Sequence, residues 1–407
     1  MMRELRATLR DLLPPPLRER YHRHALRRDF GIDRRRGSRR PTSIDSRRPP
    51  GLNVIGYFES PTGIGQSARS IAQAAEHAGI PITRIEVSGA ARSRAAENPY
   101  DVNLFHVNAD GADATVEALG PALHAGRANI AYWYWESDLF PQRWRDRFDY
   151  FDEIWVASEF CRGSIAAVSP VPVALVPPAV VVESRANAKA TAGIDPSAFL
   201  FLTMLDALSV PERKNPVATV RAFARAFSGT REPSLLLLVS NADREPGLLS
   251  SLRAASRGAR VEIREQTLTR EGVETLFSAC DAYVALHRAE GFGFPIAEAM
   301  AAGKPVVATG YSGNADYLDE STGFPVRWNP FMLEERIRDY DAGTHWAEPN
   351  EDHAVAQMQR VYADRDEGER RAARAQRSIA ERYGREPAGR QIAARLENLR
   401  RRLRKTA

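Results

Sequence analysis

The chain has 407 residues, 43% of them hydrophobic and 27% charged, which excludes a disordered or fibrous chain and provides for two domains that can each bury a core. Its two cysteines, Cys161 and Cys280, match no metal-ligand spacing and give no disulfide framework. No apolar run approaches the roughly 20 residues that span a bilayer, and the N-terminus lacks a signal-peptide core, so a cytoplasmic protein is expected.

The net charge of +5 is unevenly spread, because residues 1–50 hold 15 Arg, no Lys and 6 Asp or Glu, a net of +9 that leaves −4 for the rest. Within this basic extension Met1, Leu5, Leu9, Leu12 and Leu13 recur at helical spacing between Arg3, Arg6 and Arg10, until Pro14 to Pro16 break the pattern. Such a helix suits the anionic inner face of a membrane. A solvated tail is the plain alternative, and arginine runs alone do not establish nucleic-acid contact. Arg34 to Pro50 reads as a linker.

The first domain is expected over residues 51–181. A strand over Leu52–Phe58 leads through a loop with Pro61, Gly63 and Gly65 into a helix from Gln66 to Ala78. Gly63, Gly65 and Ala68 fit the dinucleotide pattern G-x-G-x-x-A, with Glu86 about where a ribose-binding acid belongs. An NAD-dependent oxidoreductase is therefore a competing function, although Pro61 and its neighbours separate the strand from the first glycine. Strands follow at Asn103–Val107 and Asn129–Trp135. The second carries Tyr132, Trp133, Tyr134 and Trp135, rings that either stack on a sugar or fill the core, and ends at Glu136. His106 reads as a hydrogen-bonded core histidine more than a cleft residue. Glu153–Ser158 and Val171–Pro178 complete the domain, and residues 182–196 read as a linker.

The second domain, residues 197–383, opens with a strand over Phe199–Leu205. In DALSVPERKNP, Asn215 is expected to cap a helix starting at Pro216, which sets Arg213 and Lys214 before a helix N-terminus. Strands at Leu235–Ser240, Val261–Arg264, Ala282–Leu286 and Val306–Thr309 alternate with helical stretches, and Tyr311–Asn314 makes a polar turn. Two doubly wound α/β domains follow from that alternation. Ile392, Leu396, Leu399 and Leu403 mark an amphipathic helix within residues 384–407.

The most informative stretch is HRAEGFGFPIAEAMAAGKP, His287 to Pro305. A buried strand turns at Gly291 and Gly293 into a helix that Gly303 and Pro305 stop, so Glu290 stands on the loop and Glu298 on the first helical turns. The helix start offers unpaired N–H groups to an anionic or polyhydroxyl ligand.

This string resembles the nucleotide-sugar site of retaining glycosyltransferases of the GT-B fold, glycosyltransferase family four. The resemblance implies that Glu290 contacts the donor sugar, Glu298 the nucleotide ribose, and the backbone of Phe292 and Gly293 the sugar hydroxyls, within a donor-binding turn from Gly291 to Phe294. It implies that the first glycine loop, with Gly63 and Gly65, faces the donor diphosphate, and that Lys214 neutralises the leaving group. The family's second cation falls on Ser209, so Arg213 is the candidate substitute. The family's histidine is absent from YWYWE, and Glu136 is the nearest polar group. The C-terminal helix is expected to cross back to the first domain. No cofactor or metal is implied; the partners are a nucleoside-diphosphate sugar and a glycan or lipid-linked glycan, with mannose as the guessed hexose. A non-catalytic, membrane-docked binder of sugar nucleotides is the remaining alternative.

Overall fold

The computed structural model describes residues 44–87, 98–230 and 232–406. The amphipathic helix expected near Met1 and most of the Arg-rich extension lie outside the described residues.

The first lobe is built on β1 (Leu52–Gly56), β2 (Ile82–Glu86), β3 (Val102–His106), β4 (Ala128–Trp133), β5 (Glu153–Val156) and β6 (Val173–Leu175). All pair in parallel, in the order β2-β1-β3-β4-β5-β6. Parallel neighbours need crossovers, and the helices that make them cover both faces. For that reason β1, β3, β4 and β5 are buried along their whole length. The second lobe repeats the plan with β7 (Leu200–Asp206), β8 (Ser234–Ser240), β9 (Val261–Glu265), β10 (Ala282–Ala285), β11 (Val306–Thr309) and β12 (Phe324–Val326), in the order β12-β11-β10-β7-β8-β9. Two doubly wound α/β sheets face a cleft, the fold class that strand–helix alternation led us to expect.

One polar feature runs through the first core. Asn53, Asn103 and Asn129 occupy one register on β1, β3 and β4 and are fully buried. Asn53 Nδ2 donates to Asn103 Oδ1 and Asn103 Nδ2 to Asn129 Oδ1, each at 2.9 Å. The ladder ends on the Arg127 and His124 carbonyls, so burial of these amides is compensated.

Several expectations are corrected. β1 stops at Gly56 and β4 at Trp133, short of Phe58 and Trp135; Tyr134 N leaves the ladder to donate to Asn108 Oδ1 at 2.9 Å. The first helix is Gly63–His77, beginning three residues early. The expected linker contains a helical turn, Ala188–Thr191. Asn215 does not cap through its side chain: its backbone is left-handed at φ +51°, and Nδ2 has no partner among the described residues. A capping residue is normally extended, and the left-handed backbone joining two helices precludes that geometry. The short β12 and an antiparallel hairpin, β13 (Trp328–Met332) with β14 (His345–Pro349), were not anticipated: β12 has only three residues, and a long connection instead of a two-residue turn joins β13 to β14.

The C-terminal helix, Arg385–Thr406, lies on the Gly63–His77 helix of the first lobe. A Cβ on Gly389 would stand 2.5 Å from Ala74 O, so close approach requires glycine there. Ile392, Leu396 and Leu399 are buried. Arg395 and Arg402 reach the fully buried Glu153 at 2.5 and 2.9 Å, and Arg400 reaches Asp101 at 2.7 Å.

Candidate active site

A cleft of about 680 Å³ separates the C-terminal ends of the two sheets, where open α/β sheets bind ligands. Its second-lobe wall is the turn after β10. Gly293 has φ +82° and starts the Phe294–Ala301 helix, with Pro295 in its first turn. The turn is held by its carbonyls: Gly313 N donates to Glu290 O at 2.9 Å, Ser158 Oγ to Gly291 O at 2.6 Å, and Tyr317 Oη to Phe292 O at 2.6 Å. The amides of Gly291, Phe292 and Gly293 have no partner among the described residues. They remain available to a ligand, as helix-start amides are.

Four charged groups converge beside them. Lys214 Nζ donates to Glu290 Oε1 at 2.5 Å, and Arg213 Nη1 to Glu290 Oε2 at 3.3 Å and to Ala289 O at 2.6 Å. Burial alone would raise the Glu290 carboxyl, but the Lys214 and Arg213 charges prevail and hold it near about 2. Burial opposes the charge on Arg213, and Glu136 and Glu290 reverse that effect, so its guanidinium stays protonated. Glu136 Oε1 lies 3.8 Å from Arg213, and Glu136 Oε2 accepts from Tyr340 at 2.8 Å. Glu298 is also buried and pairs with Arg270, which reaches Glu274 and Val181 O as well. Burial raises the Glu298 carboxyl, and Arg270 offsets this only in part.

The other candidates divide by location. Gly63, Ser209 and Phe294 line the cleft. Gly65 is buried beneath the preceding loop, where a Cβ would stand 2.4 Å from Ser60 O; its role is close packing. Of the four aromatics, Tyr132, Trp133 and Trp135 belong to the core and Tyr134 faces the cleft. His106 is buried, stacked on Tyr132 at 4.6 Å and bonded to Ser67 Oγ at 2.8 Å. Burial drops its pKa to about 3, so it is neutral. Glu86 braces the loop by accepting from Glu59 N at 3.0 Å. The six residues between β1 and Gly63 leave no tight dinucleotide turn. Arg270 and Tyr340 were missed, since a partner distant in sequence leaves no local signal. Among the described residues no three His, Cys, Asp or Glu converge as metal ligands.

The model of family 4 glycosyltransferases in conflict systems matches residues 157–392. The chain belongs to that family. Its turn at Glu290, the paired cations and the second lobe all lie within the matched residues, and this member is a glycosyltransferase of the nucleotide-sugar-dependent kind. Solved structures share its fold. Sucrose-phosphate synthase from Thermosynechococcus elongatus matches with a TM-score of 0.65 at 16% identity, covering 86% of this chain and 99% of its own. The Anabaena protein HepE in complex with UDP and glucose matches at 0.63 and 15%, covering 86% and 100%. A glycosyltransferase from Rickettsia africae matches at 0.64 and 12%, covering 87% and 99%. No curated protein matches the chain.

Proposed function

We propose that this glycosyltransferase moves a hexose from a nucleoside-diphosphate sugar to a hydroxyl of a glycan or lipid-linked glycan in surface polysaccharide biosynthesis, with retention at the anomeric carbon. Mannose on a guanine nucleotide is the working donor, by resemblance to bacterial polysaccharide mannosyltransferases. The observation that supports the reading best is the convergence of Lys214 and Arg213 on Glu290, 2.5 and 3.3 Å away, beside the unpartnered amides of Gly291 to Gly293.

The Glu290 carboxylate balances both cations. A diphosphate entering there takes over their charge, and Glu290 is then available to sugar hydroxyls. As the glycosidic bond breaks, negative charge builds on the leaving diphosphate, and fixed cations in a buried site stabilise it more than they stabilise the intact donor. The leaving phosphate takes the proton from the acceptor hydroxyl, so no second carboxylate is needed as base. Glu298, kept beside Arg270, accepts from the ribose.

Melting curves with a panel of nucleoside-diphosphate sugars identify the donor, because a bound ligand raises the transition temperature according to its affinity. NMR of the product then reads the anomeric configuration. No stabilisation by any donor overturns the donor site, and an inverted product overturns retention.

A further inference from the structure

The β13–β14 hairpin leaves the second lobe and closes on the first, on either side of Glu136. Arg143, from the first lobe, donates to Asp341 at 2.7 and 2.8 Å and to Asp339 O at 2.5 Å. His345 donates its backbone N–H to Asp138 Oδ1 at 3.0 Å, and its ring Nδ1 lies 2.9 Å from Asp138 Oδ2. Between these clamps Trp346 Nε1 donates to the Glu136 carbonyl at 3.1 Å, and Tyr340 Oη donates to the Glu136 carboxylate at 2.8 Å.

Tyr340 is itself fixed. Its ring stacks on Trp135 at 4.8 Å and 18°, meets Trp346 edge-on at 5.0 Å, and is buried. Its backbone closes a tight turn with Ile337 through two 2.9 Å hydrogen bonds. A glutamate in the loop beyond a strand would otherwise sample several rotamers. Here one carboxylate oxygen is held by Tyr340, and the other faces Arg213 at 3.8 Å.

We propose that Tyr340 is a positioning residue for transfer: through its hydroxyl the hairpin of the second lobe sets the Glu136 carboxylate against Arg213 at the reacting end of the cleft. The inference rests on the donor-site reading above for its kinetic part and on geometry alone for its structural part. Tyr340 acts on Glu136, so its influence is expected in turnover and not in donor affinity.

The test is a double-mutant cycle with Tyr340→Phe and Glu136→Ala, together with a crystal structure of Tyr340→Phe. The phenylalanine keeps the ring stack, so the variant should fold. The expected result is a kcat lowered about ten-fold, as for loss of a hydrogen bond to a charged group, with the donor KM unchanged. No further loss is expected in the Glu136→Ala background, because coupled residues are non-additive. In the crystal structure Glu136 should have left its position against Arg213. Multiplicative losses, wild-type kcat per folded molecule, or an unmoved Glu136 would each overturn the proposal. A wild-type enzyme that transfers no sugar overturns the donor-site reading instead, and the crystal structure of the variant still decides the role of Tyr340.

Discussion

Lys214 is the residue on which the proposed chemistry depends most. Its ammonium lies 2.5 Å from the Glu290 carboxylate, which the neighbouring cations hold down to about 2, so that Glu290 stays ionised at neutral pH. Lys214→Ala is expected to lower kcat by roughly a hundredfold with a much smaller rise in donor KM, the signature of a contact that strengthens in the transition state. Steady-state kinetics with the identified donor checks this; wild-type turnover would remove Lys214 from the mechanism. At the same scale, His106 and His287 are buried and their pKa values fall to about 3 and about 4, in both cases chiefly through desolvation. Below the unfolded value of 6.5 the unfolded chain binds protons that the native state refuses, so stability drops as pH falls toward those values. Replacing His106 by glutamine should reduce the slope of unfolding free energy by about 1.4 kcal/mol per pH unit between pH 6 and 4. Urea titrations at stepped pH measure the slope, and an unchanged slope would mean that His106 takes its proton in the native state.

At the scale of elements, β1, β3 and β4 are joined by side chains as well as by their backbones. Asn103 donates to Asn129 and accepts from Asn53 in a site without solvent. Asn103→Ala should therefore cost roughly 1–3 kcal/mol, because Asn129 Oδ1 loses its donor in a buried site while Asn53 Nδ2 keeps the Tyr100 and Val102 carbonyls. Asn103→Leu leaves the same Asn129 oxygen unsatisfied and should be no milder. Chemical denaturation followed by circular dichroism tests both. A loss below about 1 kcal/mol would show that water replaces the ladder. The strands themselves were legible because burial on both faces demands the continuous apolar runs seen in the sequence. The β13–β14 hairpin was not, since its strands are five residues each and joined by a long connection without a tight-turn signal, and its contacts are with the opposite lobe.

At the scale of the molecule, the two lobes are tied twice, by the C-terminal helix on the Gly63–His77 helix and by the hairpin on the segment around Glu136. The basic extension adds a third part. Among the described residues no helix is long and apolar enough to cross a membrane, and our proposal for residues 1–50 is peripheral docking on the anionic cytoplasmic face. Deleting them should leave activity on a small acceptor intact and lower sedimentation with anionic vesicles, most at low salt. Equal sedimentation of the two forms would leave the segment a solvated tail.

The sequence alone determined two parallel α/β lobes and singled out Glu290, Glu298 and the glycine turn between them, because hydrophobic period, turn chemistry and helix stops are written over a few neighbouring residues. It also pointed to Arg213 and Lys214 as cations ahead of a helix. Only the tertiary structure decided what each of these groups faces. Glu290 finds Lys214 from 76 positions away, Glu298 finds Arg270 from 28, and Glu136 finds Tyr340 from 204. Charge state follows from such partners and from burial, and both depend on how crossover connections bring strand ends together. No local pattern encodes that distance.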